Sequence, residues 1–189
     1  TPEEIALMAR AGALLAQVFR VLDETPLEGR STLEINDLVE RLIVDELKAR
    51  PASKGQYGFP YVLNASIDSV VCHGMPSSHD ILRSGQIVNL DITLEKDGYI
   101  VDSSKTYLVG EVAYPARRLV AATYQAMWKG ISVVRPGARL GDIGLGRGDR
   151  ELVVDRVDRD DGLAGRDVAA GLELGVQRLD LPADLRPDL

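Results

Sequence analysis

Two aspartates on neighbouring predicted strands have the residue type and spacing that suit metal chemistry. Residues 87–94 and 99–109 have strand-like patterns, and Lys96-Asp97-Gly98 between them is a turn signal. Asp91 lies on the first strand and Asp102 on the second. A four-residue loop would pair these aspartates directly, whereas a two-residue loop would leave them diagonal. Both loop lengths put the two carboxylates on the same face of the hairpin.

Two carboxylates on one sheet face need compensation, because aspartate is a poor strand former and opposed like charges destabilise a strand pair. A shared proton, a nearby arginine or lysine, or a metal ion would each compensate. Asn89 and Thr93 flank Asp91 on this face, and hard oxygen ligands on a rigid hairpin suit a divalent cation. The alternative is an exposed polar face with both aspartates solvated. A transition-metal site would need further histidine or glutamate ligands from elsewhere.

Composition excludes several classes of protein. The chain has 189 residues, of which 45% are apolar and 27% charged, as in an ordinary soluble domain. The net charge of −7 argues against a nucleic-acid-binding surface. The one cysteine, Cys72, excludes a disulfide framework and favours a reducing, cytoplasmic compartment. We expect no membrane span, because no apolar run reaches about 18 residues and the best candidate, residues 5–19, carries Arg10. We expect no secretory signal, because the N-terminus lacks the order of basic, apolar and small residues that such a signal has.

Four helices and a short extended region should position these residues. A capping box of Thr1 and Glu4 opens the first helix, and Ser31 with Glu34 opens a second that runs to about Leu47. We predict a third helix over residues 115–134, a fourth from Leu140, and extended segments over 59–73 around a turn at 64–68. The first helix should bury one apolar face, formed by Ile5, Met8, Ala11, Leu15, Phe19 and Leu22.

Residues before the hairpin offer weaker candidates. His73 ends an apolar segment, where a lone histidine is more often structural than functional. Cys72 should be a small buried hydrophobe rather than a nucleophile. Tyr57 and Phe59 lie in a loop, where they could line a pocket for an apolar side chain or cap the core.

The composition changes abruptly near residue 144. Residues 145–189 use only nine residue types: Asp, Glu, Arg, Gly, Leu, Val, Ala, Pro and Gln. All nine can be encoded by codons that begin with G or C, as in a GC-rich gene read out of frame. We interpret this low-complexity tail as frame-shifted sequence, the alternative being a natural disordered segment.

The body of the chain resembles the type I methionine aminopeptidases over residues 1–144. The matching stretches keep the order and spacing of that family, and together they are specific. They are residues 1–5, Tyr57-Gly58-Phe59-Pro60, residues 70–76 around Cys72-His73-Gly74, residues 87–93, Lys96-Asp97-Gly98, Asp102-Ser103-Ser104, residues 126–131 and residues 135–144.

The resemblance implies an α/β (α+β) pita-bread fold, of which this chain would hold the first half. It also implies an enzyme that removes the initiator methionine from nascent proteins. Its cofactor would be two divalent ions of cobalt, manganese, iron or zinc. Asp91 and Asp102 match two metal ligands, and His73 matches a histidine that contacts substrate. Tyr57 and Phe59 fall at or beside the methionine pocket. Asn64 also lies at that pocket, where many members have cysteine.

The sequence departs from the family after Gly144. Family members take one histidine and two glutamates as metal ligands from their second half, and the tail contains no histidine. We therefore expect this chain by itself to be inactive, and to self-associate through the exposed surface of a half-domain. The alternatives are a non-catalytic binding module and a non-functional truncated fragment.

Overall fold

The computed structural model describes residues 1–146, which fall into two compact units. The first comprises Thr1–Val112, and the described part of the second comprises residues 113–146. The predicted tail, apart from its first two residues, lies outside the described residues.

Helix α1, Pro2–Glu24, begins at the predicted capping box. Glu4 N donates to Thr1 Oγ1 at 3.3 Å, and the Thr1 amino group donates to Glu4 Oε2 at 2.6 Å. The apolar face is buried only from Ala11 onward, whereas Ile5 and Met8 are exposed, so their predicted burial is wrong. The first turns of the helix, which carry these two side chains, extend beyond the part that the sheet covers. The buried residues of the helix are Ala11, Leu15, Val18, Phe19 and Leu22.

Helix α1 is also long and apolar enough to cross a membrane, the single such helix among the described residues. Four of its side chains belong to the main hydrophobic core, which a spanning helix would present to lipid instead. This part of the helix therefore packs within the first unit, although only 28% of the apolar window is buried.

Helix α2, Thr32–Arg41, begins at the second predicted capping box. Ser31 N donates to Glu34 Oε2 at 2.7 Å, and Glu34 N donates to Ser31 Oγ at 3.1 Å. The helical path continues as a π-helical turn over Leu42–Glu46, which confirms the predicted end near Leu47.

An antiparallel sheet of four strands packs against these helices. The strands are β1 Arg50–Pro51, β2 Leu63–Ile67, β3 Ile87–Lys96 and β4 Tyr99–Leu108. Strand β3 is central because β4 pairs along its whole length, while β2 and β1 pair with successive parts of its other edge. The mixture of helices and sheet confirms the predicted fold class.

Strand β3 has two unlike faces because its side chains alternate. Val88, Leu90, Ile92 and Leu94 are buried in the core, whereas Asn89, Asp91 and Thr93 lie half-buried on the opposite face. The turn predicted at residues 64–68 is wrong, since this segment is β2 and the chain turns only at Asp68, where φ is +48°. Pairing with β3 overrides the local turn preference of Asn64.

The second unit contains α3, Tyr114–Ser132, and α4, Leu140–Gly146, which pack on each other. Tyr124 and Trp128 stack edge to face within α3, with ring centroids 6.1 Å apart. The third helix and the start of the fourth were both predicted, separated by Pro136 and Gly137, whose φ is +88°.

Candidate metal centre

The turn between β3 and β4 sets the register of the two aspartates. Asp97 and Gly98 both have positive φ, +53° and +84°, as a two-residue turn of type I′ requires. Lys96 therefore pairs with Tyr99, Thr93 with Asp102, and Asp91 with Ser104. The diagonal arrangement is confirmed, and the alternative of direct opposition is wrong. Asp91 and Asp102 share one face of the hairpin.

Asp91 is held by the neighbouring strand. Asn64 on β2 lies directly opposite Asp91, and its Nδ2 donates to Asp91 Oδ2 at 3.0 Å. The other carboxylate oxygen, Oδ1, is shielded from solvent. The neutral amide of Asn64 donates to this half-buried carboxylate without cancelling its charge.

Asp102 has a more open environment. Its side chain is exposed, and Oδ1 accepts a 3.3 Å hydrogen bond from Oγ1 of Thr93, its partner across the strands. The two carboxylates thus differ, since one is recessed against β2 and the other is open to solvent.

Other polar side chains lie on this face, and Glu95, which follows Thr93 on the same face of β3, forms an ion pair with Arg50 on β1. Asn89 Nδ2 donates to Thr106 Oγ1 at 3.1 Å, again between paired residues. The two lysines of the hairpin are engaged elsewhere: Lys96 Nζ donates to Lys48 O, and Lys105 Nζ donates to Asp23 Oδ1, each at 2.6 Å. Neutral amide and hydroxyl groups thus donate to Asp91 and Asp102 in the contacts described above.

The described residues provide an incomplete donor set for a metal ion. Within residues 1–146 no three His, Cys, Asp or Glu side chains lie close enough together to hold one. Two carboxylates on one face fit part of a divalent-cation site, because such oxygens are the hard ligands that these ions take. A complete site requires ligands from outside the described residues.

His73 lies on a segment bound to the outer edge of β2. Its φ is +55°, and its side chain is exposed. The next residue fixes this segment, because Gly74 O accepts from Ala65 N at 2.8 Å and Gly74 N donates to Ser66 Oγ at 3.1 Å. Strand β2 therefore stands between His73 and the strand that carries Asp91.

The loop with Tyr57 and Phe59 begins beside the polar face. Ala52 N donates to Thr93 O at 3.0 Å, and Ser53 Oγ closes the loop by donating to Val62 O at 3.1 Å. Tyr57 is fully exposed with φ of +49°, while Phe59 is half-buried against Tyr61, with ring centroids 5.7 Å apart. Of the two aromatic residues predicted at the pocket, Phe59 packs on another aromatic ring and Tyr57 does not.

Sequence reasoning missed two contacts and misjudged one side chain. The hydrogen bonds of Asn64 and Ser66 depend on long-range strand pairing, which local sequence does not reveal. The predicted burial of Cys72 is wrong, because its side chain is exposed. It lies on the segment outside β2, where no further described strand covers it.

Comparison with known proteins connects this face to a family. Residues 6–146 match metallopeptidase family M24. The chain belongs to this family. Membership indicates a divalent metal cofactor, which agrees with the paired carboxylates.

The methionine aminopeptidase of Rickettsia prowazekii is 42% identical over 144 residues, which are 76% of this chain and 55% of that protein. Its crystal structure matches with a TM-score of 0.76 at 39% identity, covering 82% of this chain and 61% of the other. The Thermotoga maritima enzyme structure matches with a TM-score of 0.75 at 30% identity, covering 83% and 61%. The pita-bread fold of the first half is thereby confirmed. The chain spans about half the length of the curated relatives it matches.

Proposed function

We propose that residues 1–146 form the first part of the catalytic domain of a methionine aminopeptidase. The observation that carries the proposal is the placement of Asp91 and Asp102 on one polar face of the β3–β4 hairpin. The relatives that share this part of the chain are named methionine aminopeptidases, which supports the same activity. The substrates would be the N-termini of peptides and nascent proteins, and the protein would act in the cytoplasm.

In this proposal Asp91 and Asp102 hold the metal from one side. The two carboxylates would hold a divalent ion, which would supply Lewis-acid activation of water for peptide hydrolysis. Asn64 holds one oxygen of Asp91, and Thr93 holds one oxygen of Asp102. His73 would contact the substrate backbone, with Tyr57, Phe59 and Asn64 beside the methionine side chain.

The proposed cofactor is a pair of ions, of cobalt, manganese, iron or zinc. Oxygen ligands favour manganese among these, since carboxylates are hard donors. The chain contains two histidines, His73 and His79, and none in residues 147–189. We therefore propose that the 189-residue chain binds metal weakly and is inactive by itself.

Net charge excludes one class of partner, and the exposed surface supports another. The net charge of −7 argues against nucleic acid as a partner. Val70, Val71 and Met75 are exposed together on the segment outside β2, which supports self-association of the chain. Sedimentation velocity over a range of protein concentrations tests this, and a monomer at every concentration would contradict it.

Manganese binding tests the proposed centre directly. Electron paramagnetic resonance of free Mn²⁺ measures the affinity of the 189-residue chain and of the variants Asp91→Asn and Asp102→Asn. Asp97→Asn is the matched control, because it removes one negative charge from the same hairpin at the turn. We expect the first two variants to lose at least tenfold in affinity and the control to bind like the wild type. An equal loss in all three would indicate non-specific attraction and overturn the proposal.

A further inference from the structure

Strand β2 carries one side chain whose only described hydrogen-bonding contact is a carboxylate of the proposed centre. Asn64 stands directly across from Asp91 in the β2–β3 register. Its Nδ2 donates to Asp91 Oδ2 at 3.0 Å, and both side chains are half-buried. We infer that Asn64 is a positioning residue that fixes the carboxylate of Asp91 toward the polar face.

The backbone at Asn64 is held by hydrogen bonds on both edges of β2, which restricts where its amide can point. Leu63 and Ala65 on either side are buried in the core, and Ala65 N donates to Gly74 O at 2.8 Å. Strand β2 is thus bound by β3 on one edge and by residue 74 on the other. A short side chain on such a strand has few rotamers, and its hydrogen bond restricts Asp91 in turn.

The chemical type of the Asn64 side chain matters for Asp91 as much as its position on β2. A lysine or arginine at position 64 would neutralise Asp91, and an aspartate would oppose a second negative charge to it. Asparagine donates a hydrogen bond while it leaves the negative charge available to a cation. The bond occupies one acceptor direction of Oδ2, whereas a carboxylate has about four such directions.

A matched residue exists on the same face. Asn89 lies two residues before Asp91 and donates to Thr106 Oγ1 at 3.1 Å, so its amide bonds a hydroxyl. Asn64→Ala and Asn89→Ala each remove one amide and one cross-strand hydrogen bond. Only Asn64→Ala removes a hydrogen-bond donor to a carboxylate. A difference between the two variants therefore reports the positioning of Asp91 and not the loss of a polar side chain.

The first measurement is independent of metal. Three-bond couplings to the carboxyl carbon of Asp91, measured by nuclear magnetic resonance on the 189-residue chain, report its χ1 rotamer. We expect a single rotamer in the wild type and in Asn89→Ala, and averaged couplings in Asn64→Ala. Asn64→Ser provides a second variant with a shorter donor, in which the couplings should be partly averaged. An unchanged single rotamer in Asn64→Ala would overturn the inference.

The second measurement uses Mn²⁺ and rests on the proposed function. We expect Asn64→Ala to weaken Mn²⁺ binding three- to tenfold relative to Asn89→Ala, with similar unfolding midpoints for the two variants. Equal Mn²⁺ affinity in both variants would overturn the role in metal binding. If the wild type binds no Mn²⁺ while its Asp91 rotamer still depends on Asn64, the proposed metal function fails and the positioning role stands.

Discussion

Gly74 lies so close to Ala65 that no side chain fits between them. A Cβ built on Gly74 would stand 2.1 Å from the carbonyl oxygen of Ala65. The same glycine accepts a 2.8 Å hydrogen bond from Ala65 N. His73, with its positive φ, is the residue immediately before this contact. The close approach therefore sets where His73 leaves the edge of β2.

Replacement of Gly74 by alanine should destabilise the chain strongly. The added methyl group meets backbone atoms of a buried strand, which cannot rotate away, so we expect a loss of about 3 kcal/mol in the free energy of unfolding. Urea unfolding followed by circular dichroism measures this. Gly12→Ala in α1 is the control, because nothing lies within 4 Å of its added Cβ. It should stabilise by about 0.5–1 kcal/mol through helix propensity. Equal effects of the two substitutions would contradict the close contact.

The hairpin turn should tolerate asparagine at its first position, residue 97, but not alanine at its second position, residue 98. Gly98→Ala forces alanine to a φ of +84°, and we expect a cost of about 1–2 kcal/mol. Asp97→Asn should change stability by less than about 0.5 kcal/mol, because asparagine accepts this turn conformation equally well. Urea unfolding compares the unfolding free energies of the two variants. Cross-strand amide contacts in their nuclear magnetic resonance spectra report the strand register. A Gly98→Ala variant as stable as the wild type would show that the turn is not type I′.

The hairpin shows how far the sequence could predict the candidate site. The spacing of Asp91 and Asp102 placed both on one face, because every even-length loop preserves that relation. It could not decide between direct and diagonal pairing. That choice depends on the positive φ of both Asp97 and Gly98, which is a property of the folded turn.

Long-range pairing explains what the sequence could not reveal. Asn64 belongs to a residue type common in turns, yet it lies within β2 because β3 pairs with it 27 residues later. The donor to Asp91 could not be identified without that register. Similarly, the periodicity of α1 predicted burial of Ile5 and Met8, but the sheet does not extend far enough to cover them.

Tyr107 should remain protonated at a pH where ordinary tyrosines ionise. Burial first, and then the Asp23 carboxylate that accepts a 3.0 Å hydrogen bond from its hydroxyl, raise the pKa of Tyr107 well above 10.0. Above pH 10 the unfolded chain releases this proton while the folded chain keeps it. The stability that Tyr107 contributes is therefore intact below pH 10 and falls as the pH rises further.

Two measurements check this prediction. The difference in unfolding free energy between wild type and Tyr107→Phe should shrink as the pH rises from about 9 to about 11. The chain has six tyrosines, and Tyr107 should contribute nothing to the tyrosinate absorbance of the folded protein at about pH 11. Wild type and Tyr107→Phe should therefore give the same absorbance. A lower signal in Tyr107→Phe by the share of one tyrosine would contradict the raised pKa.

Cys72 should react rapidly in the folded protein. Its side chain is exposed, and the chain has no other cysteine. We expect a thiol-specific disulfide reagent to modify one thiol per chain without denaturant, at a rate within about tenfold of a small free thiol. The same reagent in denaturant gives the reference rate. Modification that occurs only after unfolding would show that Cys72 is covered in solution.

The 189-residue chain should not release methionine from a Met-Ala-Ser peptide above a blank that contains Mn²⁺ alone. Residues 1–146 supply two carboxylates, and a metal-bound water needs a more complete ligand set and a base to become an effective nucleophile. The methionine aminopeptidase of Rickettsia prowazekii, assayed alongside, shows that the conditions support the reaction. Turnover that disappears in Asp91→Asn and on chelation would mean that residues outside the described part complete the site. Turnover that survives both treatments would show that the activity does not depend on Asp91 or on a metal ion.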